Sequence, residues 1–461
     1  MLDDLFDYLR DIRTRPVWRP ITPDVRARVR HPLNAAPADP AVVHERFMAD
    51  VLPYALGNVH PGFMGWLHGG GTAVGMLAEM VAAGLNANLG GRDQMPVEVE
   101  RQVVRWMAQL FGFPDTAGGL FVTGTSMANL IGVLAARRAA LGERARGEGI
   151  AVDGIRLVGY ASSAAHGSLA RAMDICGLGS GALRRVPVNA AHQIDVAALQ
   201  HAISADRAAG ATPFFVAGTA GTVDAGAIDD LAAVAELAQR EGLWFHVDGA
   251  CGALAMLAPD LAPRLAGIDR ADSLAFDFHK WGQVPYDAGL ILVRARARLE
   301  ETFASPAGYL RREQRGMAAG APWSCDLGPD LSRGFRALKV WYALQVYGTE
   351  RLGRMISGCC AVARHLAARV HSVPQLELAA PVALNVVCFR YRCADPDRIN
   401  AEIAVTLQES GVAAPSTTMI GGRLVLRAAI VNHRTTRHDA DALVDAVLEA
   451  GARHAAREVP A

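Results

Sequence analysis

The sequence predicts an α/β protein in which a mainly parallel sheet is flanked by helices. Between residues 76 and 340, short apolar runs typical of strands alternate with longer runs of helical periodicity, which favours parallel strands joined by helices. Residues 1–75 hold only short helical patterns, and residues 341–461 hold long helical patterns followed by strands. We therefore predict an N-terminal helical segment (1–75), a large α/β domain (76–340) and a small C-terminal α+β domain (341–461).

The N-terminal segment is interrupted by prolines, among them Pro16, Pro20, Pro23, Pro32, Pro37 and Pro40. Proline ends or kinks a helix, so a segment of this kind builds little core of its own. We expect it to pack on another surface.

The middle region supplies seven predicted strands, at Leu120–Thr123, Arg156–Ala161, Arg184–Val188, Pro213–Ala217, Leu243–Val247, Ser273–Phe276 and Gly289–Val293. Helices are predicted between them at Ser126–Leu141, Ser168–Cys176, Val196–Ala209 and Asp229–Glu241. Ligands of such sheets bind outside the carboxyl ends of the strands. The polar residues expected at that edge are Thr123, His166, Thr222, Asp248 and Lys280.

The C-terminal region begins with helical patterns at Arg336–Tyr347 and Gly353–Val370. Strands at Val386–Tyr391 and Arg423–Ala429 follow, and a final helix is predicted at Asp439–Ala450. This order of elements predicts the small α+β domain.

Composition limits the classes of function. The chain has 461 residues, of which 51% are hydrophobic and 20% are charged, with a formal net charge of +0. This length supports a large core, and a neutral balance gives no reason to expect nucleic acid or an anionic membrane as a partner. The N-terminus lacks the basic start and apolar core of a signal peptide, and no long uncharged apolar run predicts a membrane span.

Seven cysteines are scattered along the chain without a C-x-x-C pair. An odd number without framework spacing favours reduced thiols and therefore a cytoplasmic location. The histidines do not fall at metal-ligand spacings with cysteines, so no metal site is predicted. The chain also lacks the G-x-S-x-G and G-x-x-x-x-G-K-[ST] motifs.

The segment SLAFDFHKWGQVPYDAG places Lys280 directly after an apolar strand. Apolar neighbours argue against the alternative of a surface lysine, because lysine is seldom fully buried without a role. We expect burial to disfavour the ammonium form and to lower the pKa of Lys280, which would make its amine a nucleophile.

Upstream, LWFHVDGA ends a second strand at Asp248. A Schiff-base lysine and a buried carboxylate are the pair that pyridoxal 5′-phosphate (PLP) requires. The carboxylate keeps the pyridine nitrogen protonated, so that the ring can act as an electron sink. A helix cap is the alternative role for Asp248.

A strand, a small polar turn and a helix succeed one another in GLFVTGTSMANL. Backbone N–H groups at a helix start, together with hydroxyls, form an anion site. A simple Ser or Thr helix cap is the alternative.

HVDGA is followed by the lysine of HKW 32 positions after its aspartate (280 − 248). This arrangement resembles the group II PLP-dependent amino-acid decarboxylases, which include aromatic-amino-acid and glutamate decarboxylases. The resemblance covers nearly the whole chain from about Asp7 and rests on several motifs in the same order. It implies a fold type I, PLP-dependent transferase-like fold. It also implies decarboxylation of an L-amino acid to an amine and CO2 through a Lys280 Schiff base.

The resemblance also implies roles for individual residues. The turn at Gly124, Thr125 and Ser126 cups the cofactor phosphate, although Met127 stands where many members carry an acidic residue. His166, in a motif similar to the AHSS of the family, stacks on the cofactor ring. It is also a candidate for proton transfer.

Further cofactor contacts are implied around the two strand ends. Asp248 pairs with the ring nitrogen, and the small Ala250 lets the ring lie flat. Thr222 lies near the 3-hydroxyl of the ring, with an ordinary glycine-rich loop as the alternative. Asp277 and His279 flank the lysine near the phosphate. An intertwined homodimer with interface active sites is also implied, in which the N-terminal segment wraps around the partner.

The loop Arg311–Cys325, RREQRGMAAGAPWSC, does not determine whether the reaction product is an amine or an aldehyde. The related decarboxylases use a loop tyrosine to protonate the intermediate, and this loop has none, although Tyr309 lies just before it. Members without that tyrosine can instead oxidise the intermediate to an aldehyde. Oxidative deamination, a carbon–carbon lyase reaction and a catalytically silent PLP-binding protein therefore remain alternatives.

The substrate is also open. HPGFMGWL keeps Trp66 as a candidate wall residue, and NANLGGRD supplies Arg92 as a candidate partner of an acidic side chain. A surface pairing of Arg92 with Asp93 is the alternative. Arg427, in the predicted strand of LVLRAAIVNHRTT, is a carboxylate-side candidate by resemblance and an edge-strand residue otherwise.

Overall fold

The computed structural model describes residues 1–305 and 307–456 and contains two compact units. One unit comprises Met1–Ala73 and Cys359–Ala461, and the other comprises Val74–Gly358. The first predicted region and most of the third therefore fall in one unit. The division into three domains stays a prediction. The last residues of the predicted C-terminal domain, 457–461, lie outside the described residues.

Within the described residues, the Val74–Gly358 unit is built on a seven-stranded sheet. In order across the sheet, the strands are Gly118–Val122, Gly289–Val293, Ser273–Asp277, Trp244–Asp248, Thr212–Thr219, Leu157–Ser162 and Leu183–Val186. Gly289–Val293 runs antiparallel to both of its neighbours, and the remaining neighbouring pairs are parallel. The predicted mainly parallel sheet is confirmed.

The central strands are buried along their whole length, as in Leu157–Ser162, Ser273–Asp277 and Gly289–Val293. Continuous apolar runs of this kind are typical of a sheet that is covered on both faces. The helices of this unit are Ala73–Leu85, Met95–Leu110, Thr125–Leu141, Ala145–Glu148, Ser168–Ile175, Val196–Ala208, Leu231–Glu241, Ala297–Phe303 and the first part of Arg336–Ser372.

The helix Arg336–Ser372 contains both predicted helices, Arg336–Tyr347 and Gly353–Val370. Its backbone is broken at Gly348, where φ is 68° and ψ is 162°. A positive φ is readily adopted by glycine and costs other residues free energy. The two predicted segments therefore lie on either side of one kink.

The other unit contains a smaller sheet, with strands in the order Phe63–Met64, Ala414–Ile420, Arg423–Ala429, Val386–Tyr391 and Leu376–Leu378. Its first two strands are parallel and the remaining pairs are antiparallel. The helices assigned wholly to this unit are Leu2–Arg10, Pro23–Val29, Pro40–Asp50, Pro396–Ser410 and Arg437–Ala456.

A buried ion pair holds the edge of the large sheet. Arg333 Nη2 lies 2.6 Å from Glu100 Oε1, and the two side chains are 0% and 4% exposed. The Arg333 guanidinium also donates to the carbonyl oxygens of Leu89 and Phe121, at 3.1 and 2.7 Å. The pair thus connects helix Met95–Leu110 to strand Gly118–Val122.

We expect Glu100→Ala to lower the free energy of unfolding of this unit by about 3–5 kcal/mol, because it leaves the Arg333 charge buried without its counterion. Urea denaturation measures the change. Glu148→Ala is the control, since it breaks the exposed pair with Arg144 and should cost far less. Equal losses in the two variants would contradict this account.

In the part of the chain that the structure describes, no helix has the length and apolar character needed to cross a membrane. Across residues 1–305 and 307–456, no cluster of three or more His, Cys, Asp or Glu side chains has the arrangement of a metal site.

Candidate active site

Lys280 lies three residues beyond the strand Ser273–Asp277, and its side chain is 18% exposed. Its Nζ is 2.9 Å from Asp277 Oδ2. Burial is the largest influence and lowers the pKa of Lys280, but the acidic groups of Asp277, Cys251 and Asp248 together raise that pKa above its ordinary value. The sequence-based expectation of a lowered pKa is therefore wrong. Apolar neighbours indicated burial, but they did not reveal that Asp277 is paired with the amine.

Asp277 connects the lysine to the start of a helix. Its side chain is buried, and Oδ1 accepts a hydrogen bond from the Thr125 backbone N–H at 2.8 Å. Burial raises the pKa of Asp277, but Lys280 and His279 outweigh it and hold that pKa below its usual range. Asp277 is therefore ionised at neutral pH and pairs with a protonated Lys280.

His279 is also buried, and its tautomer can be assigned. The backbone N–H of Ala288 donates to His279 Nδ1 at 3.1 Å, so the neutral ring carries its proton on Nε2. That nitrogen faces Asp277 Oδ2 at 3.6 Å. Burial lowers the pKa of His279, and the ring of Tyr286 packs on it with centroids 4.3 Å apart.

The predicted phosphate cup lies where strand Gly118–Val122 passes into helix Thr125–Leu141. Thr125 is buried, and its Oγ1 has no hydrogen-bond partner among residues 1–305 and 307–456. A buried hydroxyl without a partner costs free energy. An oxyanion seated at this helix start would satisfy it. Gly124 is partly exposed and Ser126 is exposed at the same turn, so the predicted residues suit the phosphate of PLP.

Asp248 ends strand Trp244–Asp248, directly beside Ala275 of the lysine-bearing strand. The carboxylate is buried and has two donors. Its Oδ1 accepts from the Ala250 backbone N–H at 3.2 Å, and its Oδ2 accepts from Asn129 Nδ2 at 2.9 Å. Because the two strands are adjacent, Asp248 and Lys280 share one edge of the sheet.

The sequence analysis missed Asn129, whose side chain is fully buried. It lies in helix Thr125–Leu141 among Ala128, Leu130 and Ile131. The sequence did offer one indication of a role for Asn129, because it is a polar residue on an otherwise apolar helix face. Its partner could not be found from the sequence, because Asp248 is 119 positions away.

His166 is exposed, and its Nδ1 accepts from the Ser168 backbone N–H at 3.2 Å. Thr222 is fully buried, and its Oγ1 accepts from the Ala227 backbone N–H at 3.0 Å. The turn before Thr222 is tied to the Asp248 strand, because Ala220 N–H donates to the Asp248 carbonyl oxygen at 2.9 Å. The predicted cofactor residues are therefore brought together in the Val74–Gly358 unit.

The predicted substrate residues are divided between the units. Trp66 and Arg427 belong to the unit that contains both chain ends, where Arg427 Nη1 donates to the Trp66 carbonyl oxygen at 2.9 Å. Arg427 is buried, whereas Trp66 is 52% exposed. Arg92 belongs to the other unit, and its guanidinium lies 4.1 Å from the ring centroid of Trp323.

The loop Arg311–Cys325 is held by contacts inside its own unit. Arg101 Nη2 donates to the carbonyl oxygens of Gly320 and Pro322, at 2.7 and 2.6 Å. Trp323 is buried and donates from Nε1 to the Ala319 carbonyl oxygen at 2.8 Å. Tyr309, just before the loop, is 77% exposed.

A lysine and carboxylates lie at the carboxyl edge of a mainly parallel sheet, next to a helix start that suits a phosphate, and these are the groups that a PLP-dependent enzyme requires. Residues 42–392 match the family model described as the pyridoxal-dependent decarboxylase conserved domain. The match spans most of the chain, and the protein belongs to this family.

Individual relatives agree with the family match. The aromatic-L-amino-acid decarboxylase of Bacillus atrophaeus is 32% identical over 449 residues, covering 95% of this chain and 91% of the relative. The phenylacetaldehyde synthase of Arabidopsis thaliana is 29% identical, covering 93% of this chain and 90% of the relative. A crystal structure of Oryza sativa TDC with PLP and tryptamine superposes with a TM-score of 0.90 at 26% identity, covering 98% of this chain and 96% of that one.

These comparisons confirm the family that the motifs indicated, the fold type I architecture and PLP as the cofactor. They also confirm PLP-dependent decarboxylation of an amino acid as the activity.

Proposed function

We propose that this protein decarboxylates an aromatic L-amino acid to the corresponding amine and CO2, with Lys280 as the residue that binds the cofactor. The observation that carries the proposal is the cluster of Lys280, Asp277 and Asp248 at one sheet edge. The aromatic substrate class is supported by relatives such as the aromatic-L-amino-acid decarboxylase of Bacillus atrophaeus and the tryptophan decarboxylase 1 of Oryza sativa subsp. japonica.

When bound, PLP supplies an electron sink for the pair released as the Cα–carboxylate bond breaks. Lys280 would hold the cofactor through Nζ, which is a nucleophile only after the ammonium has lost a proton. Asp277 Oδ2, at 2.9 Å from Nζ, pairs with the protonated lysine. The same contact orients Nζ toward the site.

The remaining residues bind and orient the cofactor in this proposal. Asp248 holds a proton on the ring nitrogen, and Ala250 leaves room for the ring beside it. The phosphate is held by Gly124, Thr125 and Ser126 at the helix start. His166 presents its ring to the cofactor face, and the residues that complete the site are Thr222, Asp277 and His279.

An aromatic side chain is also consistent with the surroundings of the substrate candidates. The guanidinium of Arg92 has a partner in the Trp323 ring, which gives it a role other than binding an acidic substrate. Trp66 offers an exposed indole, and its backbone is held by the buried Arg427. We assign Trp66 to the substrate wall and Arg427 to the support of Trp66. Arg92 would contact the side chain of the substrate only if turnover were found with acidic amino acids.

Aldehyde formation is the second candidate, favoured by the absence of tyrosine from the loop Arg311–Cys325. A relative at 29% identity is a phenylacetaldehyde synthase. Formation of an aldehyde, ammonia and CO2 removes two electrons from the substrate. It therefore consumes an oxidant such as dioxygen, which would leave as hydrogen peroxide.

We further propose a homodimer with active sites at the interface and a cytoplasmic location. The proline-interrupted N-terminal segment supports the first proposal. The second is supported by the seven described cysteines, which form no disulfide with one another, since reduced thiols are typical of reducing compartments.

Mass spectrometry of the products tests this function. PLP-loaded protein is incubated with aromatic, acidic and basic L-amino acids, and hydrogen peroxide is assayed in parallel. We expect an amine from an aromatic substrate without peroxide. An aldehyde with an equal amount of peroxide would replace the first candidate by the second, and turnover confined to acidic or basic substrates would overturn the substrate class.

A further inference from the structure

The strongest unassigned feature of the site is a buried chain of hydrogen bonds centred on Asn129. Its Nδ2 donates to Asp248 Oδ2 at 2.9 Å and to Ser168 Oγ at 3.0 Å. Its Oδ1 lies 2.9 Å from His246 Nε2. Asn129 and His246 are fully buried, and Asp248 and Ser168 nearly so.

The orientation of the Asn129 amide follows from the chemistry of its partners. Oδ2 of Asp248 accepts its hydrogen bond from Asn129 Nδ2, so the atom that faces Asp248 is the amide nitrogen. Both amide hydrogens are then used, by Asp248 and Ser168. The amide oxygen is left facing His246, whose Nε2 must carry the proton of that hydrogen bond.

His246 is held neutral on the far side of the amide. Burial lowers the pKa of His246 to about 3, so the ring is uncharged over the physiological range. Its Nδ1 lies 2.8 Å from Ser273 Oγ, which accepts from Trp244 Nε1 at 2.8 Å. Ser273 is therefore free to donate its own proton to Nδ1.

The backbone leaves room for this packing. A Cβ atom at Gly132, one helical turn beyond Asn129, would lie 2.9 Å from His246 Nδ1. Such a contact is closer than real Cβ atoms show, and a larger residue would displace the ring. Glycine at this position thus lets the imidazole reach Asn129.

The second arm of the network ends at His166. Ser168 Oγ accepts from Asn129, so its own proton is available for His166 Nδ1 at 2.8 Å. The backbone N–H of Ser168 donates to the same nitrogen. His166 Nδ1 therefore acts as an acceptor, and the neutral ring carries its proton on the exposed side, at Nε2.

We propose that Asn129 is a positioning residue that orients the Asp248 carboxylate and, through Ser168, fixes His166 in its Nε2–H tautomer. The inference rests on the proposed function, because it concerns the two groups assigned to the ring nitrogen and the ring face of the cofactor. The buried Asn129 amide thereby links Asp248 to His166. The neutral His246 ring keeps the amide from flipping, that is, from exchanging the positions of its oxygen and nitrogen.

Asn129→Leu tests the proposal, because it keeps a similar volume and removes all three hydrogen bonds. We expect cofactor affinity, measured by absorbance titration, to fall about tenfold or more, since Asp248 loses a hydrogen bond to a charged group. The absorbance spectrum of the bound cofactor should also change, because the charge on the ring nitrogen perturbs the conjugated ring. Asn400→Leu is the matched control. It removes a buried asparagine of the other unit and should leave cofactor affinity unchanged.

Ser168→Ala tests the second arm alone. Asn129 keeps its bond to Asp248 in this variant, so the cofactor affinity and spectrum should match the wild type. We expect kcat to fall severalfold, because the His166 ring loses one of the two donors that fix its tautomer. An unchanged kcat would remove His166 from the proposal.

Two outcomes overturn the role of Asn129. A folded Asn129→Leu protein with wild-type cofactor affinity and spectrum would do so. If that variant does not fold by circular dichroism, Asn129→Asp is measured instead, which replaces the donor to Asp248 by an acceptor. Wild-type affinity in Asn129→Asp would equally overturn the role. Absence of turnover in the wild type would contradict the proposed function alone, since the affinity comparison does not depend on turnover.

Discussion

Replacing Lys280 by alanine is expected to lower kcat by at least about a thousandfold, as removal of a residue that bonds covalently during catalysis commonly does. The alanine side chain cannot hold the aldehyde carbon of the cofactor. It also leaves the buried Asp277 carboxylate without its partner at 2.9 Å. Amine release by PLP-loaded enzyme, followed by mass spectrometry, measures the loss.

Lys339 provides an unusually clean control for this experiment, because it is the other of the two lysines in the chain. Its side chain is 1% exposed and pairs with Glu79 at 2.9 Å. Lys339→Met should lower stability and retain the visible absorbance of the bound cofactor. Loss of that absorbance in Lys339→Met, with its retention in Lys280→Ala, would reverse the assignment.

Asp248→Asn is expected to lower kcat by about a hundredfold or more, the range seen when a preorganised electrostatic contact is removed from an active site. A neutral amide cannot stabilise a proton on the ring nitrogen as a carboxylate does. The amide would also meet the Asn129 and Ala250 donors with one acceptor instead of two. Steady-state kinetics at saturating PLP isolates this effect from weaker cofactor binding.

Asp272→Asn is the matched control for Asp248. Asp272 accepts from the Phe245 backbone N–H at 2.8 Å and lies just before strand Ser273–Asp277, whereas Asp248 ends the neighbouring strand. We expect this variant to lose stability and keep its kcat. If Asp248→Asn kept wild-type kcat, or if both variants lost it equally, the role assigned to Asp248 would be wrong.

Much of the fold could be predicted because its signals are local. All seven predicted strands of the large unit are present, with bounds that differ by a few residues, and Gly289–Val293 has the predicted bounds. Strands buried on both faces read as continuous apolar runs. The interruption predicted between the helices Arg336–Tyr347 and Gly353–Val370 is confirmed at Gly348, whose positive φ breaks the helical backbone.

For the site, only the residues that belong to recognisable sequence motifs could be predicted. HVDGA and HKW indicated Asp248 and Lys280, but the raised pKa of Lys280 depends on where the Asp277 carboxylate points. Likewise, the contact of Asp277 with Thr125 joins residues 152 positions apart. Such contacts are set by strand order and side-chain direction, which residue spacing does not contain. The Asn129 network lay outside the prediction for the same reason.

Reduction of the PLP-loaded protein with borohydride, followed by peptide mapping, tests the central claim most directly. The treatment converts a lysine-bound cofactor into a stable adduct, and the chain offers only Lys280 and Lys339 as acceptors. We predict the added mass on the peptide that contains Lys280. Its appearance on Lys339, or on neither lysine, would contradict the account.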